Sequence, residues 1–146
     1  MNNTTTPPTV TVEIGGTPFR TEITTIPEHD GKAHRIVSDV PAAKGGADDG
    51  PSPHDLLLSS LGACTAVTVK MYANRKEWPL ERIGVALRHD PPAERGGPER
   101  ISVELQFVGD LTEEQRDRLQ QIAGKCPVHK TITGDVVIET TRADEG

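Results

Sequence analysis

The chain predicts an α+β fold built on antiparallel sheet, and three observations carry that expectation. Three short stretches near the N-terminus alternate apolar and polar residues. Two longer alternating stretches lie past position 80. Between them runs one long segment that nothing but Gly62 interrupts. Alternation at period two marks half-buried strands, and an unbroken run of that length marks a helix.

The elements follow in order. "VTVEI" (10–14) alternates, Gly15 and Gly16 break the pattern, and "FRTEITTI" (19–26) alternates again. Asp30–Gly31 is a turn signal, and "HRIVSDV" (34–40) supplies a third strand. Connections this short predict an antiparallel meander. "PAAKGGADDGPSP" (41–53) is a Gly-, Pro- and Asp-rich loop whose end doubles as a helix start. Ser52 suits the N-cap, Pro53 the first helical position and Asp55 the acid of a capping box. A helix running from there to Lys76 would be about 36 Å long. Its first turns are apolar or small on every face, which predicts burial all round. Gly62, Ala63, Ala66 and Ala73 leave room for close neighbours. "IGVALRH" (83–89) and "ISVELQFV" (101–108) form the clearest strand pair. Thr112 and Gln115 form a capping box for a helix with Leu119, Ile122 and Ala123 on its apolar stripe. Pro127 opens a short further helix, "DVVIETT" (135–141) reads as a closing strand, and "RADEG" frays.

Composition bounds the function. A length of 146 residues fits one domain, expected over 10–141, with a disordered tail at 1–9 and a short tail at 142–146. Only 34% of residues are hydrophobic, and the aromatics are two Phe, one Trp and one Tyr. So little apolar material favours burial shared with a second copy. The net charge of −6 and the lack of a dense Lys/Arg cluster argue against nucleic acid as a partner. "MNNTTTPPTV" lacks the basic and apolar regions of a secretory signal. The uncharged run 56–69 falls short of the roughly 18 residues that span a bilayer. A cytoplasmic protein with no membrane partner is expected, its two cysteines normally reduced.

Those cysteines are the main candidates for chemistry. Cys64 lies in the least polar stretch, where a free cysteine is most simply a small core residue. Cys126, in "GKCPVHK", would stand at the N-cap of the helix that Pro127 opens, a position that stabilises a thiolate. Cys126 and His129 also have the spacing of half a zinc site, but no Cys-x-x-Cys or His-Glu-x-x-His completes one, so no metal is expected. "GGADDG" is acidic and lacks a Lys, a poor phosphate cradle. Ser59 and Ser60 lack the glycines of a nucleophile elbow. His29, His34 and His89 fall in turns or strands and read as solvated. His54 stands ten residues before Cys64 on the same predicted helix.

The segments "GPSPHDLLLSSLGACTAVTVKMYANRKEWPLERIGVALRHD" and "GDLTEEQRDRLQQIAGKCPVHKTI" resemble the superfamily of osmotically inducible protein C (OsmC) and organic hydroperoxide reductase (Ohr). The resemblance covers about 19–140, and "HRIVSDVPAAKGGADDGPSP" looks like the OsmC-like branch. It implies an intertwined homodimer with six-stranded antiparallel sheets wrapped around long central helices. It also implies a two-cysteine peroxidase of oxidative-stress defence, with Cys64 matching the peroxidatic cysteine and Cys126 the resolving one. The implied partners are an organic hydroperoxide and an external dithiol, in the family often lipoyl-linked, with no bound cofactor. In the hydroperoxide reductase branch an Arg–Glu pair activates the thiol, and the Glu belongs where this chain has His54. Arg20, with Arg35 second, matches the Arg. The alternative to an enzyme is an OsmC-fold dimer that binds a small ligand or metal, or senses redox state. A thioesterase-like reading finds no acidic acyl-transfer motif in support.

Overall fold

The protein, described by a computed structural model over residues 9–16, 18–27 and 31–144, is an α+β chain with antiparallel sheets. His29, the Asp30 half of the expected turn, residues 1–8 and the last two residues lie outside the described residues. The chain divides into two compact units, Met1–Leu57 and Leu58–Gly146.

In the first unit, β1 (Val10–Ile14), β2 (Thr21–Thr25) and β3 (His34–Ser38) form the expected meander in the order β1-β2-β3. Val12 faces Ile23, and Ile23 faces Ile36, so the register lays an apolar row across all three strands. β2 is shorter than 19–26 because its partners on either side are five residues long. Beyond β3 the chain folds back tightly on itself. A Cβ on Gly46 would lie 1.9 Å from the Val40 carbonyl oxygen, and one on Gly50 would lie 2.4 Å from that of Val37. Only glycine permits either approach. The fold-back delivers Ser52, whose N–H donates to Asp55 Oδ2 (3.0 Å) while Asp55 N–H donates to Ser52 Oγ (3.1 Å). This reciprocal box starts α1 (Pro53–Arg75).

The second unit holds most of α1, the hairpin β4 (Arg82–Asp90) and β5 (Arg100–Val108), α2 (Glu113–Ala123) and α3 (Pro127–Thr133). Ile83 pairs with Phe107, Val85 with Leu105 and Leu87 with Val103. The stripe Leu61, Thr65, Val69 and Ala73 of α1 is buried at four-residue spacing, as one helix face requires. A Cβ on Gly62 would come within 2.7 Å of Leu87 Cδ1, so the glycine lets α1 close on β4. Val69 and Ala73 join Leu80, Leu111, Leu119, Ile122 and Ala123 in one core cluster. Lys70 Nζ donates to the Leu80 carbonyl. Arg116 donates to the carbonyls of Phe107 (2.9 Å) and Gly109 (3.1 Å), tying α2 to the end of β5. The Thr112–Gln115 capping box is formed as expected.

Three expectations are corrected. α1 is not buried all round: Leu57, Val67 and Met71 are exposed, Met71 by 66%. One chain covers one stripe of a helix that is apolar on several faces. The segment 135–141 forms no strand, and Val137 and Ile138 are 84% and 83% exposed. A strand exists only where another strand completes its ladder, and none does so here among the described residues. The apolar run 56–69 also understated α1, which is long and apolar enough by length and composition to cross a membrane. In this fold its buried stripe packs into a protein core instead.

Gly109 sits at φ +148°, and a Cβ there would lie 2.0 Å from the Pro79 carbonyl oxygen. Gly109→Ala is expected to lower stability by more than about 1 kcal/mol, read as a fall in the urea midpoint at unchanged slope.

Candidate functional site

Cys64 and Cys126, distant in sequence, meet in the second unit. Cys64 lies on α1 and is partly exposed; Cys126 is fully buried. Both are free thiols. Cys126 caps α3 as the sequence predicts: its backbone is extended at φ −67°, ψ 141°, Pro127 follows, and its Sγ accepts the His129 N–H at 3.2 Å. From α1, the Thr65 hydroxyl donates to the same sulfur at 3.9 Å. The Cys64 side chain and the Val128 N–H also lie within hydrogen-bonding reach of it.

These contacts and burial pull the Cys126 thiol in opposite directions. Burial pushes its thiol up, because a thiolate loses its hydration there. The donors from His129, Cys64, Thr65 and Val128 act in the opposite sense and together outweigh burial, holding the thiol below its ordinary value. Beside the pair lies a cavity of about 180 Å³. Leu61, Val103, Leu105 and Ala123 give it an apolar wall, and Thr65 and His129 bring polar groups to it.

The remaining candidates belong to the first unit. Arg20 pairs with Asp49, Nη1 to Oδ2 at 3.5 Å. Arg35 lies opposite Thr24 on β3 and is exposed. His54 stands exposed in the first turn of α1. His34 is exposed as expected, but His89 is not simply solvated: its Nε2 lies 2.6 Å from Glu99 Oε2. Among the described residues, no group of three or more His, Cys, Asp or Glu side chains gathers that could hold a metal ion.

Sequence reasoning missed two residues. Thr65 is 3% exposed, and its only signal was a hydroxyl on the apolar stripe directly after Cys64. Asp39 is 2% exposed at the end of β3. Its carboxylate accepts the N–H of Val40 (2.7 Å) and of Asp49 (3.1 Å), closing the loop that carries Arg20's partner. The Asp49 N–H chiefly holds the Asp39 carboxyl below its usual range against the opposing effect of burial, with further help from the N–H groups of Val40 and Ala47 and from Arg20.

The family model described as OsmC-like protein matches residues 46–141. No curated protein sequence matches the chain. Among solved structures, a protein of Psychrobacter arcticus 273-4, described in terms of osmotic-stress induction and a detoxification response, superposes with a TM-score of 0.70 at 23% identity, covering 88% of this chain and 90% of that one. An OsmC-like protein from Mycoplasma pneumoniae gives 0.66 at 20% identity, covering 86% of each chain. An organic hydroperoxide resistance protein, OsmC, from Legionella pneumophila gives 0.62 at 20% identity, covering 86% and 88%.

A carboxyl held low in the fold stabilises it above the unfolded value near 3.9, and that contribution is lost as pH falls through the folded value. Hydrogen exchange at the Val40 and Asp49 amides is therefore expected to lose protection on acidification below about pH 4. Asp39→Asn should show the same loss at neutral pH.

Proposed function

The chain belongs to the OsmC-like protein family, and from that membership we propose that it is a thiol-dependent peroxidase that reduces organic hydroperoxides to alcohols. The observation that carries the reading is the meeting of the chain's two cysteines within hydrogen-bonding reach of each other. The likeness in fold to a protein named for organic hydroperoxide resistance agrees with it.

Cys64, the more exposed sulfur, attacks the distal oxygen of the hydroperoxide. The O–O bond breaks, the alcohol leaves and Cys64 becomes a sulfenic acid. Cys126 then attacks the Cys64 sulfur, water is lost and a disulfide forms. An external dithiol, cytoplasmic and lipoyl-linked, restores both thiols by exchange. The apolar wall of the neighbouring cavity suits the alkyl part of an organic peroxide. Arg20 and His54 remain the candidates for activating the Cys64 thiol.

The working form is a homodimer. Val67 and Met71 on α1, Val12 and Ile14 on β1, and Val137 and Ile138 near the C-terminus are apolar and exposed on a chain that has few apolar residues to spare. A second copy would cover such surface and supply the ladder that 135–141 lacks.

One equivalent of cumene hydroperoxide is expected to yield one equivalent of Cys64–Cys126 disulfide and one of alcohol in a single turnover. Cys64→Ser should abolish consumption; turnover as fast as the parent's would sink the reading. Light scattering should give twice the chain mass for the parent and a shift towards monomer for Met71→Glu, while the parent running as a monomer at micromolar concentration would refute the dimer.

A further inference from the structure

Three cations converge on the one tyrosine of the chain. The Arg75 guanidinium lies 5.4 Å from the centre of the Tyr72 ring, the Lys76 ammonium 5.7 Å and the Arg118 guanidinium 5.6 Å. Arg75 ends α1 and Lys76 follows it, a place where the carbonyl end of a helix favours cations. That does not account for Arg118, which comes from α2. Attraction to the ring holds each charge in place but leaves the repulsion among them. Acidic side chains outnumber basic ones in this chain, 22 to 16, so counter-charge is plentiful. Yet the ion pairs among the described residues use Arg20, Arg88, His89 and Arg116, and none of them reaches these three cations.

What the cluster has left to offer is donors. Arg118 Nε donates to the Tyr72 hydroxyl oxygen at 3.1 Å and Nη1 donates to Gln121 Oε1 at 3.0 Å, which leaves Nη2. Because the Tyr72 oxygen accepts from Arg118, its own O–H remains to donate outward. The exposed Arg75 and Lys76 add a guanidinium fork and an ammonium. The platform beneath them is fixed: Trp78 meets the Tyr72 ring edge-on, and both rings pack against the core cluster. The complement of such a set accepts only and carries negative charge on several oxygens. A phosphate monoester, with about −1.5 to −2 charge at neutral pH and three acceptor oxygens, matches three cations and a phenol. A carboxylate brings one charge and two oxygens and leaves part of the set unused.

We propose that Tyr72, Arg75, Lys76 and Arg118 form a binding site for the phosphoryl group of a soluble phosphate monoester. The Tyr72 hydroxyl and Arg118, held by their mutual hydrogen bond, receive two of its oxygens, and Arg75 and Lys76 turn onto the remaining charge. No bond is made or broken there, and the thiols take no part, so the site is independent of the peroxidase reading.

Calorimetric titration of the full-length chain with glycerol phosphate tests it, with glycerol and sodium chloride at matched ionic strength as controls. Saturable binding is expected for glycerol phosphate alone, accompanied by a change in the emission of Trp78, the only tryptophan and the neighbour of the Tyr72 ring. Raising the salt should weaken it. Arg75→Gln and Arg118→Gln should each weaken binding about tenfold, and Tyr72→Phe, which keeps the ring, should weaken it several-fold. Arg75 is exposed, so its variant tests the site with the core untouched, and an unchanged urea midpoint confirms that each variant is folded. No saturable heat with glycerol phosphate would overturn the proposal, as would equal affinity in the parent and in both folded arginine variants. Binding to vesicles containing phosphatidic acid without binding to glycerol phosphate would overturn the soluble ligand in favour of a lipid headgroup.

Discussion

The second unit depends on one stripe of one helix. Leu61, Thr65, Val69 and Ala73 recur at the spacing that puts them on a single face of α1, and Gly62 beside them removes the side chain that would hold β4 away. Val69 and Ala73 seat the helix in the core formed with Leu119 and Ile122 of α2. Thr65, one turn earlier, meets the buried sulfur of Cys126. The face that fixes the fold is thus also the face that meets the Cys126 sulfur. Packing along it fixes where a hydroxyl meets a sulfur, because a helix held at Val69 and Ala73 has no freedom left at Thr65.

Burial and ionisation usually oppose each other for a thiol, since low dielectric favours the neutral form. Around Cys126 the opposition is settled by number: several donors from two elements act against one desolvation penalty. None of them is a formal charge. Neutral dipoles held by backbone and helix packing do not move when the sulfur changes charge, and they are insensitive to salt in a way that an exposed ion pair such as Arg20–Asp49 is not.

The local rules were legible in the sequence wherever the determinants were local. Capping boxes at Ser52–Asp55 and Thr112–Gln115, the N-cap at Cys126, the meander and the β4–β5 hairpin all follow from neighbours a few residues away. The meeting of the two cysteines did not follow from spacing; the family resemblance implied it. Thr65 and Asp39 were invisible because their partners lie far along the chain or across a loop, and a polar residue on an apolar stripe carries no mark of what it will face. The misreading of 135–141 has a different cause. Alternation records that a segment suits a sheet, and says nothing about which chain supplies the neighbouring strand.

The one tryptophan and the one tyrosine both lie in the second unit. Trp78 meets the Tyr72 ring edge-on, with centroids 5.6 Å apart and planes at 73°, and both border the core cluster. Arg75, Lys76 and Arg118 gather over the same Tyr72 ring. Intrinsic Trp and Tyr fluorescence therefore originates in the unit that holds the thiols. The meander and its loop hold neither ring.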